Sequence, residues 1–368
     1  MISLDNLLIN AGYMIHQFKP RLVVRTAGGY LNYFFKQGPR LRYVDVILHY
    51  GCNLKCEHCS CETLKDSSRR QLSPEDWKRV ALECEQLGSI VFGIQGGEPL
   101  IYKDLDKVIQ YLNPKRNFLS IKSNGTVASD ELFKKLRFAG IDSMTVGFGP
   151  IPNEYDFSDY NRVSRRLKDA FALSLKTVEA LSRNGIRPMM SVVISRKNIG
   201  SSVFKGIIGI AKEYHSVLTC ALAVPIGAWE NHDEIMLLEE DRKALNEIMR
   251  ENPHVRTDFQ TNWSIEGCAA LKEKIYISPY GDVLPCPFIH ISFGNVLEEP
   301  LEKIWRRGVG IKTFSEYPAA CIAAEDRVFL EYLKIAEKKN KKLPIRFDDP
   351  DIALLLNSTH LERQKRIS

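Results

Sequence analysis

Three closely spaced cysteines, Cys52, Cys56 and Cys59, are the strongest chemical feature of the chain. Thiolates bind zinc, copper(I) or iron–sulfur clusters, and a loop with three thiols can hold three irons of a [4Fe-4S] cube while the fourth iron faces a ligand. A zinc site normally takes a fourth protein ligand, which Cys61 or His58 could supply. The spacing therefore predicts a metal or cluster site but leaves the metal open.

A second motif, Gly96-Gly97-Glu98-Pro99, ends the apolar run at residues 89–95, which is typical of a buried strand. Two glycines at the end of a strand let the backbone approach a ligand closely. Glu98 offers an acceptor for an ammonium group. The motif predicts a ligand site at this strand end.

The cysteine run followed at this distance by Gly-Gly-Glu-Pro resembles the radical S-adenosylmethionine (radical SAM) superfamily. The resemblance implies that Cys52, Cys56 and Cys59 hold a [4Fe-4S] cluster whose open iron chelates S-adenosylmethionine. It also implies that residues 96–99 line the methionine amino group. A reducing partner such as flavodoxin or ferredoxin would supply the electron that cleaves S-adenosylmethionine to a 5′-deoxyadenosyl radical, which abstracts hydrogen from an unactivated C–H bond.

The elements that must position these motifs alternate between strand and helix. Strand-like runs lie at about 44–50, 89–95, 117–122, 142–148, 187–195 and 216–224, and helical patterns lie between them at about 73–87, 104–112, 129–139, 166–184 and 200–214. Six such units predict an α/β fold, a partial (βα)6 barrel similar to a TIM barrel, with its chemistry at the carboxyl ends of the strands. The superfamily resemblance implies the same open barrel.

Other predicted strand ends supply further candidates. By resemblance, Ser123 and Asn124 could contact the carboxylate or ribose of S-adenosylmethionine, although an ordinary turn explains them equally well. Ser191 and Ser195, on the fifth strand, are candidates for the ribose. The polar and aromatic segment 153–166 is either a substrate loop or a solvated connection.

The last third of the chain carries a second set of thiols. Cys268 precedes a predicted hairpin that delivers Cys286, and Cys321 follows a short helix. This arrangement is similar to the SPASM and twitch extensions of radical SAM enzymes, which bind auxiliary iron–sulfur clusters. A full SPASM module has more cysteines, so we expect a small twitch-like hairpin and helix extension with one auxiliary [4Fe-4S] cluster on these three thiols. His290 is a possible fourth ligand or a structural residue.

The three remaining thiols are Cys61, Cys84 and Cys220. Cys84 and Cys220 fall in apolar helix-like and strand-like contexts, which predicts inert core thiols. Cys61 lies just past the cysteine loop, where it is a plain loop thiol, a hydrogen-atom donor or an extra ligand.

The chain has 368 residues, 44% of them apolar, and a formal net charge of +6. This length suits one large α/β domain with a smaller one, so we expect a helical extension at 1–42, a barrel at 43–235, an auxiliary-cluster domain at 236–330 and a helical tail at 331–368. The mild charge indicates ordinary surface solvation, and no nucleic-acid partner is expected.

Localisation follows from segments that the sequence lacks. It contains neither an apolar run of about 18 residues nor a signal peptide. Nine cysteines at metal-type spacings fit a reducing compartment. We therefore expect a cytoplasmic protein without a spanning helix.

The N-terminal segment has a pattern of its own. A first helix is predicted to begin after Ser3, to carry an apolar stripe as far as Phe18 and to end at Pro20. The segment 21–36 mixes aromatic and basic side chains, which suits peripheral contact with a membrane interface. The same stripe is typical of helices that cover an end of the barrel, and we favour that interpretation.

The predicted reaction is hydrogen abstraction from a small molecule, with oxidation, epimerisation or bond formation as the outcome. A leader-peptide-binding domain does not fit within the first 42 residues, which weakens the case for a peptide substrate. A peptide and a membrane lipid-linked substrate stay as alternatives. A non-enzymatic protein with zinc or redox-sensing metal sites is the competing hypothesis.

Overall fold

The computed structural model describes residues 4–16, 18–35, 38–127, 129–150, 170–261, 267–315, 317–358 and 362. The strands in this part of the chain are β1 Tyr43–Ile47, β2 Val91–Gln95, β3 Phe118–Ser123, β4 Ser143–Pro150, β5 Arg187–Ile194, β6 Val217–Leu222, β7 Val255–Arg256, β8 Lys274–Ile277, β9 Val283–Leu284, β10 Ile291–Ser292 and β11 Ile345–Arg346. Nine of them form one sheet in the order β7-β6-β5-β4-β3-β2-β1-β8-β9. All neighbouring strands from β1 to β7 pair in parallel, so their carboxyl ends share one edge.

The described helices cover the outer face and the amino-terminal end of this sheet. They are α1 Leu4–Ile15, α2 Pro20–Phe34, α3 Pro74–Gln86, α4 Leu105–Tyr111, α5 Asp130–Ala139, α6 Ala170–Arg183, α7 Ser202–Glu213, α8 Glu239–Glu251, α9 Leu301–Val309, α10 Ile322–Glu325, α11 Glu331–Lys338 and α12 Pro350–Leu356. None of the helices in the described ranges has both the length and the apolar character needed to cross a membrane.

The predicted alternation of strand and helix is confirmed. The start of α3 shows how residues close together in the sequence determine where a helix begins. The Ser73 side chain accepts the N–H of Asp76, and the Asp76 side chain accepts the N–H of Ser73 in return. The first strand is shorter than predicted, because after Ile47 the chain leaves the ladder. Its next carbonyls bond instead to the loop that follows β2. The predicted loop 153–166 and the predicted cap Ser3 lie outside the described residues.

Alternate side chains of the strands face two different environments. Val44 and Val46 of β1 belong to the main core with Trp77 and Phe133 from the outer helices. Tyr43 of β1 faces the other way, into the barrel. The inner face can therefore be polar without weakening the core that supports it.

The first two helices close the amino-terminal end of the barrel. Tyr13 and Leu22 form a second core with Val91 and Phe118. The Tyr13 hydroxyl lies 2.9 Å from the carbonyl oxygen of Pro188, to which it donates. The favoured interpretation of the N-terminal segment, a cover over one end of the barrel, matches this packing.

The C-terminal extension is continuous with the barrel sheet. β8 pairs in parallel with β1, and β9 returns antiparallel to β8 through the predicted hairpin. Gly281 in the turn has φ +91°, and an added Cβ would lie 2.5 Å from Oδ1 of Asn295. The second sheet, β10 with β11, ties the tail to the extension. The domain boundaries stay predictions, and the boundary at 235/236 does not divide the sheet.

Candidate cluster and cofactor site

The loops after β1 and β2 lie directly against each other. The N–H of Gly97 donates to the carbonyl of His49 at 2.8 Å, and the N–H of Glu98 donates to the carbonyl of Gly51 at 2.9 Å. A Cβ at Gly97 would lie 1.9 Å from the Gly51 oxygen, and one at Gly96 would lie 2.3 Å from the His49 oxygen. The two glycines are therefore required for the approach of these two backbones, and they hold the cysteine loop in place.

The side chain of Glu98 is completely buried beneath these loops. Its carboxylate accepts hydrogen bonds from the Ser123 hydroxyl at 3.0 Å, the Asn124 N–H at 2.8 Å and the Leu100 N–H at 3.1 Å. Pro99, also buried, begins the short turn that follows. Glu98 thus joins the ends of β2 and β3, and its predicted role toward an ammonium group stays a prediction.

The end of β3 reaches the cysteine loop through amide side chains. Asn124 Nδ2 donates to Asn53 Oδ1 at 2.8 Å and lies 3.8 Å from Cys52 Sγ. Asn53 Nδ2 donates in turn to Thr126 Oγ1 at 2.9 Å. The structure therefore brings Asn124, a candidate from the sequence, to the first cysteine of the run, whereas the other candidate, Ser123, donates to Glu98.

The cysteine loop surrounds its sulfur atoms with backbone donors. The N–H of Leu54 donates to Cys52 Sγ at 3.4 Å. The N–H groups of Cys61 and Glu62 point at Cys59 Sγ, and a hydrogen bond from the Cys61 thiol lowers the pKa of Cys59. Hydrogen bonds from N–H to sulfur are a feature by which proteins tune iron–sulfur clusters, so the loop fits such a group.

Cys61 lies between the cysteine loop and the extension. Its Sγ is 3.4 Å from the Gly96 carbonyl oxygen, and it packs against a core that contains Tyr50 and Tyr276. The hydroxyl of Tyr276 donates to that of Tyr50 at 3.2 Å. The side chain of Tyr276 also hydrogen bonds to the Cys61 thiol.

The loop after β6 also contacts the cysteine loop, and the sequence analysis missed it. Gly227 has φ +64°, and an added Cβ would lie 2.8 Å from the carbonyl oxygen of Cys59. Trp229 Nε1 donates to Glu57 Oε2 at 3.3 Å, and its ring lies 5.8 Å from that of His58. A glycine just beyond a strand end was the available sequence signal.

The inner face of the barrel is polar beyond the apolar cluster of Tyr13 and Leu22 at its amino-terminal end. Asp45 is completely buried there, with Oδ1 3.2 Å from Lys122 Nζ and Oδ2 3.6 Å from Lys274 Nζ. Ser191 is half-buried on the same face, opposite Thr219 of β6. These side chains give the inner face of the barrel its polar character.

Ser195 has a different position from Ser191. It is nearly buried just beyond the end of β5, where its N–H donates to Asn198 Oδ1 at 2.9 Å. The serine therefore starts a side-chain-stabilised turn. Its predicted contact with a ribose has no support from this geometry.

The three thiols of the extension lie close together. Cys268 and Cys286 both raise the pKa of Cys321, although burial is the main cause of that increase. Burial likewise raises the pKa of Cys286 to about 12. The predicted grouping of these thiols around one cluster stays a prediction.

Backbone donors surround the extension thiols as they do the first loop. The N–H groups directed at Cys268 come from Ala270 and Ile322, those at Cys286 from Phe288 and Ile289, and that at Cys321 from Ala324. Within the described ranges, no three His, Cys, Asp or Glu side chains are arranged to hold a single metal ion.

His290 is completely buried, and both of its ring nitrogens have partners. Nε2 lies 3.2 Å from the Pro287 carbonyl oxygen, and Nδ1 lies 3.4 Å from Thr63 Oγ1. Burial lowers its pKa to about 4, so the ring is neutral at pH 7. These contacts support the structural interpretation of His290 over the ligand one.

Cys84 and Cys220 lie in the main core, as predicted. Burial alone raises the pKa of Cys220 to about 12. The pKa of Cys84 is raised chiefly by burial as well. Their place in the packed core, rather than their pKa, distinguishes them from the other thiols and fits structural cysteines.

Comparisons with known proteins agree with this geometry. Residues 46–198 match the family model described as the radical SAM superfamily, and residues 268–323 match the SPASM model, an iron–sulfur cluster-binding domain. The chain is 23% identical over 317 residues to an AdoMet-dependent heme synthase from Oleidesulfovibrio alaskensis, covering 77% of this chain and 80% of that protein. It is 25% identical over 289 residues to a PqqA peptide cyclase from Granulibacter bethesdensis, covering 73% and 74%.

The fold is similar to that of a solved structure, Streptococcus suis SuiB bound to precursor peptide SuiA. The TM-score is 0.55 and the sequence identity 17%, with coverage of 76% of this chain and 68% of that one. The SPASM match implies an auxiliary iron–sulfur cluster, and the radical SAM match implies a [4Fe-4S] cluster with S-adenosylmethionine. Residues 46–198 therefore form a radical SAM domain, and residues 268–323 form a SPASM-type iron–sulfur extension.

Proposed function

We propose that this protein is a two-cluster radical SAM enzyme that abstracts hydrogen from a small polar molecule held inside the barrel. Cys52, Cys56 and Cys59 would hold the [4Fe-4S] cluster that binds S-adenosylmethionine. The thiols of Cys268, Cys286 and Cys321 would hold one auxiliary [4Fe-4S] cluster.

One observation carries the assignment of the cysteines. The sulfurs of Cys52, Cys59, Cys268, Cys286 and Cys321 each face an N–H group two or three residues further along the chain. Such turns stabilise thiolate charge at a cluster. The core thiols have no such donors among the causes that set their pKa values.

When bound, the first cluster and S-adenosylmethionine supply a 5′-deoxyadenosyl radical that takes a hydrogen atom from a C–H bond. The chain's own contribution is positioning. Glu98 and Asn124 fix the end of β3 against the cysteine loop, and Gly96 and Gly97 allow β1 and β2 to meet there. The helices at the floor exclude solvent from below.

The inner face of the barrel favours a small polar substrate. Lys122, Asp45 and Ser191 lie on that face, where Lys122 and Asp45 form an ion pair. A charged lining recognises a polar or acidic molecule rather than an apolar one. The relative named as a heme synthase is consistent with a small-molecule substrate, and its identity to this chain is low.

A peptide substrate is the second candidate. It is supported by the relative named PqqA peptide cyclase, whose similarity covers 73% of this chain. The two substrate classes are separated by the second experiment below. A reducing protein partner is expected in either case.

The first experiment is an anaerobic count of iron and sulfide on reconstituted protein, with 5′-deoxyadenosine formation measured after addition of dithionite and S-adenosylmethionine. We expect about eight irons in the wild type, as two cubane clusters require. A triple alanine variant at Cys52, Cys56 and Cys59 should retain about four and lose cleavage. A triple alanine variant at Cys268, Cys286 and Cys321 should retain about four and still cleave. Cys220→Ala, a core thiol, is the matched control and should keep about eight.

Zinc in place of iron would overturn the enzyme assignment, and about four irons in the wild type would overturn the auxiliary cluster. The second experiment uses extracts of cells grown in heavy water, divided into dialysable molecules and peptides. Deuterium should appear in 5′-deoxyadenosine with the dialysable fraction. Transfer only from the peptide fraction would replace the small-molecule proposal with the peptide one.

A further inference from the structure

The helix α2 buries Leu22 and Gly29 against the protein and leaves a second apolar side exposed to solvent. Arg25 on the inner side donates to the Ser89 carbonyl oxygen at 2.5 Å, and the Thr26 hydroxyl donates to the Leu22 carbonyl. Val24 and Leu31 are seven residues apart, two helical turns, and therefore share the outer side. Both are exposed. A helix that packs on a core normally turns polar side chains to water, whereas α2 exposes apolar side chains there.

We name the exposed apolar side chains on the outer side of α2, with those that flank it and one from α5, the basal face. Its members are Phe18, Val24, Leu31, Phe34, Phe35 and Phe138. Phe18, Val24, Phe34 and Phe35 are each 70–73% exposed, and Phe138 is 96% exposed. Single exposed apolar residues are ordinary, but a group of four phenylalanines with two aliphatic neighbours is an interaction surface.

Contacts of the neighbouring residues place the basal face at the amino-terminal end of the barrel. Lys19, next to Phe18, donates to the carbonyl of Gly140 at 3.3 Å and to Asp142 at 2.6 Å. Gly140 caps α5, the helix that carries Phe138 in its last turn. The face is therefore at the opposite end of the strands from the cysteine loops.

The charge of this region is positive. Residues 6–44 contain no Asp or Glu, and they contain six basic residues: Lys19, Arg21, Arg25, Lys36, Arg40 and Arg42. Arg21 is exposed in the first turn of α2. Arg25 also donates to the carbonyl of Arg116, which brings the exposed Lys115 to the same end of the molecule. Aromatic side chains beside basic ones are the combination that anionic lipid surfaces attract.

We propose that the basal face docks on the surface of an anionic phospholipid bilayer, with its phenylalanines inserted at the headgroup level. Binding of this kind combines buried apolar area with attraction between lysine or arginine and lipid phosphate. The docked protein would direct the cysteine loops away from the membrane. The proposal is independent of the proposed reaction.

The test is co-sedimentation of the full chain, reconstituted anaerobically, with vesicles of phosphatidylcholine and phosphatidylglycerol. We expect binding at low salt, weaker binding at high salt because ions screen the charges, and little binding to pure phosphatidylcholine. The double variant Leu31→Glu/Phe34→Glu should bind at least about tenfold less, since it removes two large side chains from the apolar contact. Leu354→Glu, at a residue 68% exposed on α12, is the matched control and should bind like the wild type.

Circular dichroism and iron content establish that each variant is folded. Absence of binding to the anionic vesicles at low salt would overturn the proposal, and so would equal binding by the double variant. Light scattering in solution tests whether a second copy of the chain occupies the basal face instead of a membrane. A wild-type dimer that does not bind vesicles and becomes a monomer in Leu31→Glu/Phe34→Glu would assign the basal face to self-association instead.

Discussion

The buried carboxylate of Glu98 accepts the backbone N–H of Asn124, with 2.8 Å between Oε2 and the nitrogen. This hydrogen bond connects the loop after β2 to the end of β3. The Gly-Gly-Glu-Pro motif predicts that Glu98 contacts a ligand. The hydrogen bond shows that Glu98 also supports the backbone around that site. Its consequences can be measured directly.

Glu98→Gln should weaken binding of S-adenosylmethionine roughly tenfold without removing iron. The new amide nitrogen would meet the N–H of Asn124 or the hydroxyl of Ser123, and a buried donor left unpaired costs about 1–3 kcal/mol. Equilibrium binding to the reconstituted protein measures the effect. The exposed Glu75→Gln is the control, and wild-type affinity in Glu98→Gln would show that the bond does not position the site.

Gly97→Ala should reduce both iron content and cleavage of S-adenosylmethionine. Its methyl group would lie 1.9 Å from the Gly51 oxygen, which forces the cysteine loop to shift. Overpacking of this kind costs about 1–3 kcal/mol. Gly200→Ala is the matched control, because an added Cβ there meets nothing within 4 Å. Equal iron in the two variants would contradict the proposed contact.

Trp229→Phe should make the first cluster more labile. The change keeps an aromatic ring but removes the N–H that donates to Glu57, a loss of about 1 kcal/mol. The rate at which chelator bleaches the cluster should rise severalfold, about fivefold for that energy. Glu57→Gln keeps an acceptor and should bleach at the wild-type rate, whereas Glu57→Leu should match Trp229→Phe. An unchanged bleaching rate in Glu57→Leu would show that this hydrogen bond does not stabilise the cluster.

Asp282→Ala should destabilise the extension by about 3 kcal/mol. Arg69 contacts both carboxylate oxygens of Asp282, at 2.7 and 2.9 Å, and Asn295 donates to the same group. Removing one partner of a largely buried pair leaves the others unpaired. The urea midpoint of unfolding is the measurement.

A solvent-exposed pair provides the comparison for Asp282. Arg346 and Asp348 also form two hydrogen bonds, but their side chains are 68% and 49% exposed. Asp348→Ala should therefore change stability by less than about 1 kcal/mol. Equal effects of the two alanine variants would mean that burial does not determine the strength of the Arg69 pair.

The sequence was informative wherever structure depends on neighbours along the chain. Cys52, Cys56 and Cys59 are seven residues apart at most, so their spacing alone predicts that they share a loop. The alternating apolar runs similarly predicted the barrel, and the capping box at Ser73 shows that a helix start also depends on near neighbours in the chain. For Asn124 the sequence left a choice between a contact with S-adenosylmethionine and a turn, and it did not predict the contact with the cysteine loop.

Other parts of the site depended on packing between distant segments. Glu98 could be recognised as polar, but only the fold shows that β3 supplies its partners. Gly227 and Trp229 lie about 170 residues beyond the cysteine loop they contact, and their local sequence carries no cysteine-like signature. His290 was an open choice until its two ring partners were in place.

The sequence by itself determined the family, the order of strands and helices and the two sets of thiols, because these depend on residue type, spacing and periodicity. Tertiary structure alone decided that β8 joins β1, that the glycines serve a backbone contact and that α2 leaves Val24 and Leu31 exposed. An apolar stripe has the same periodicity whether it meets the core or the solvent. Only the packing of Tyr13 and Leu22 beneath the barrel shows which side of the helical pair is left exposed.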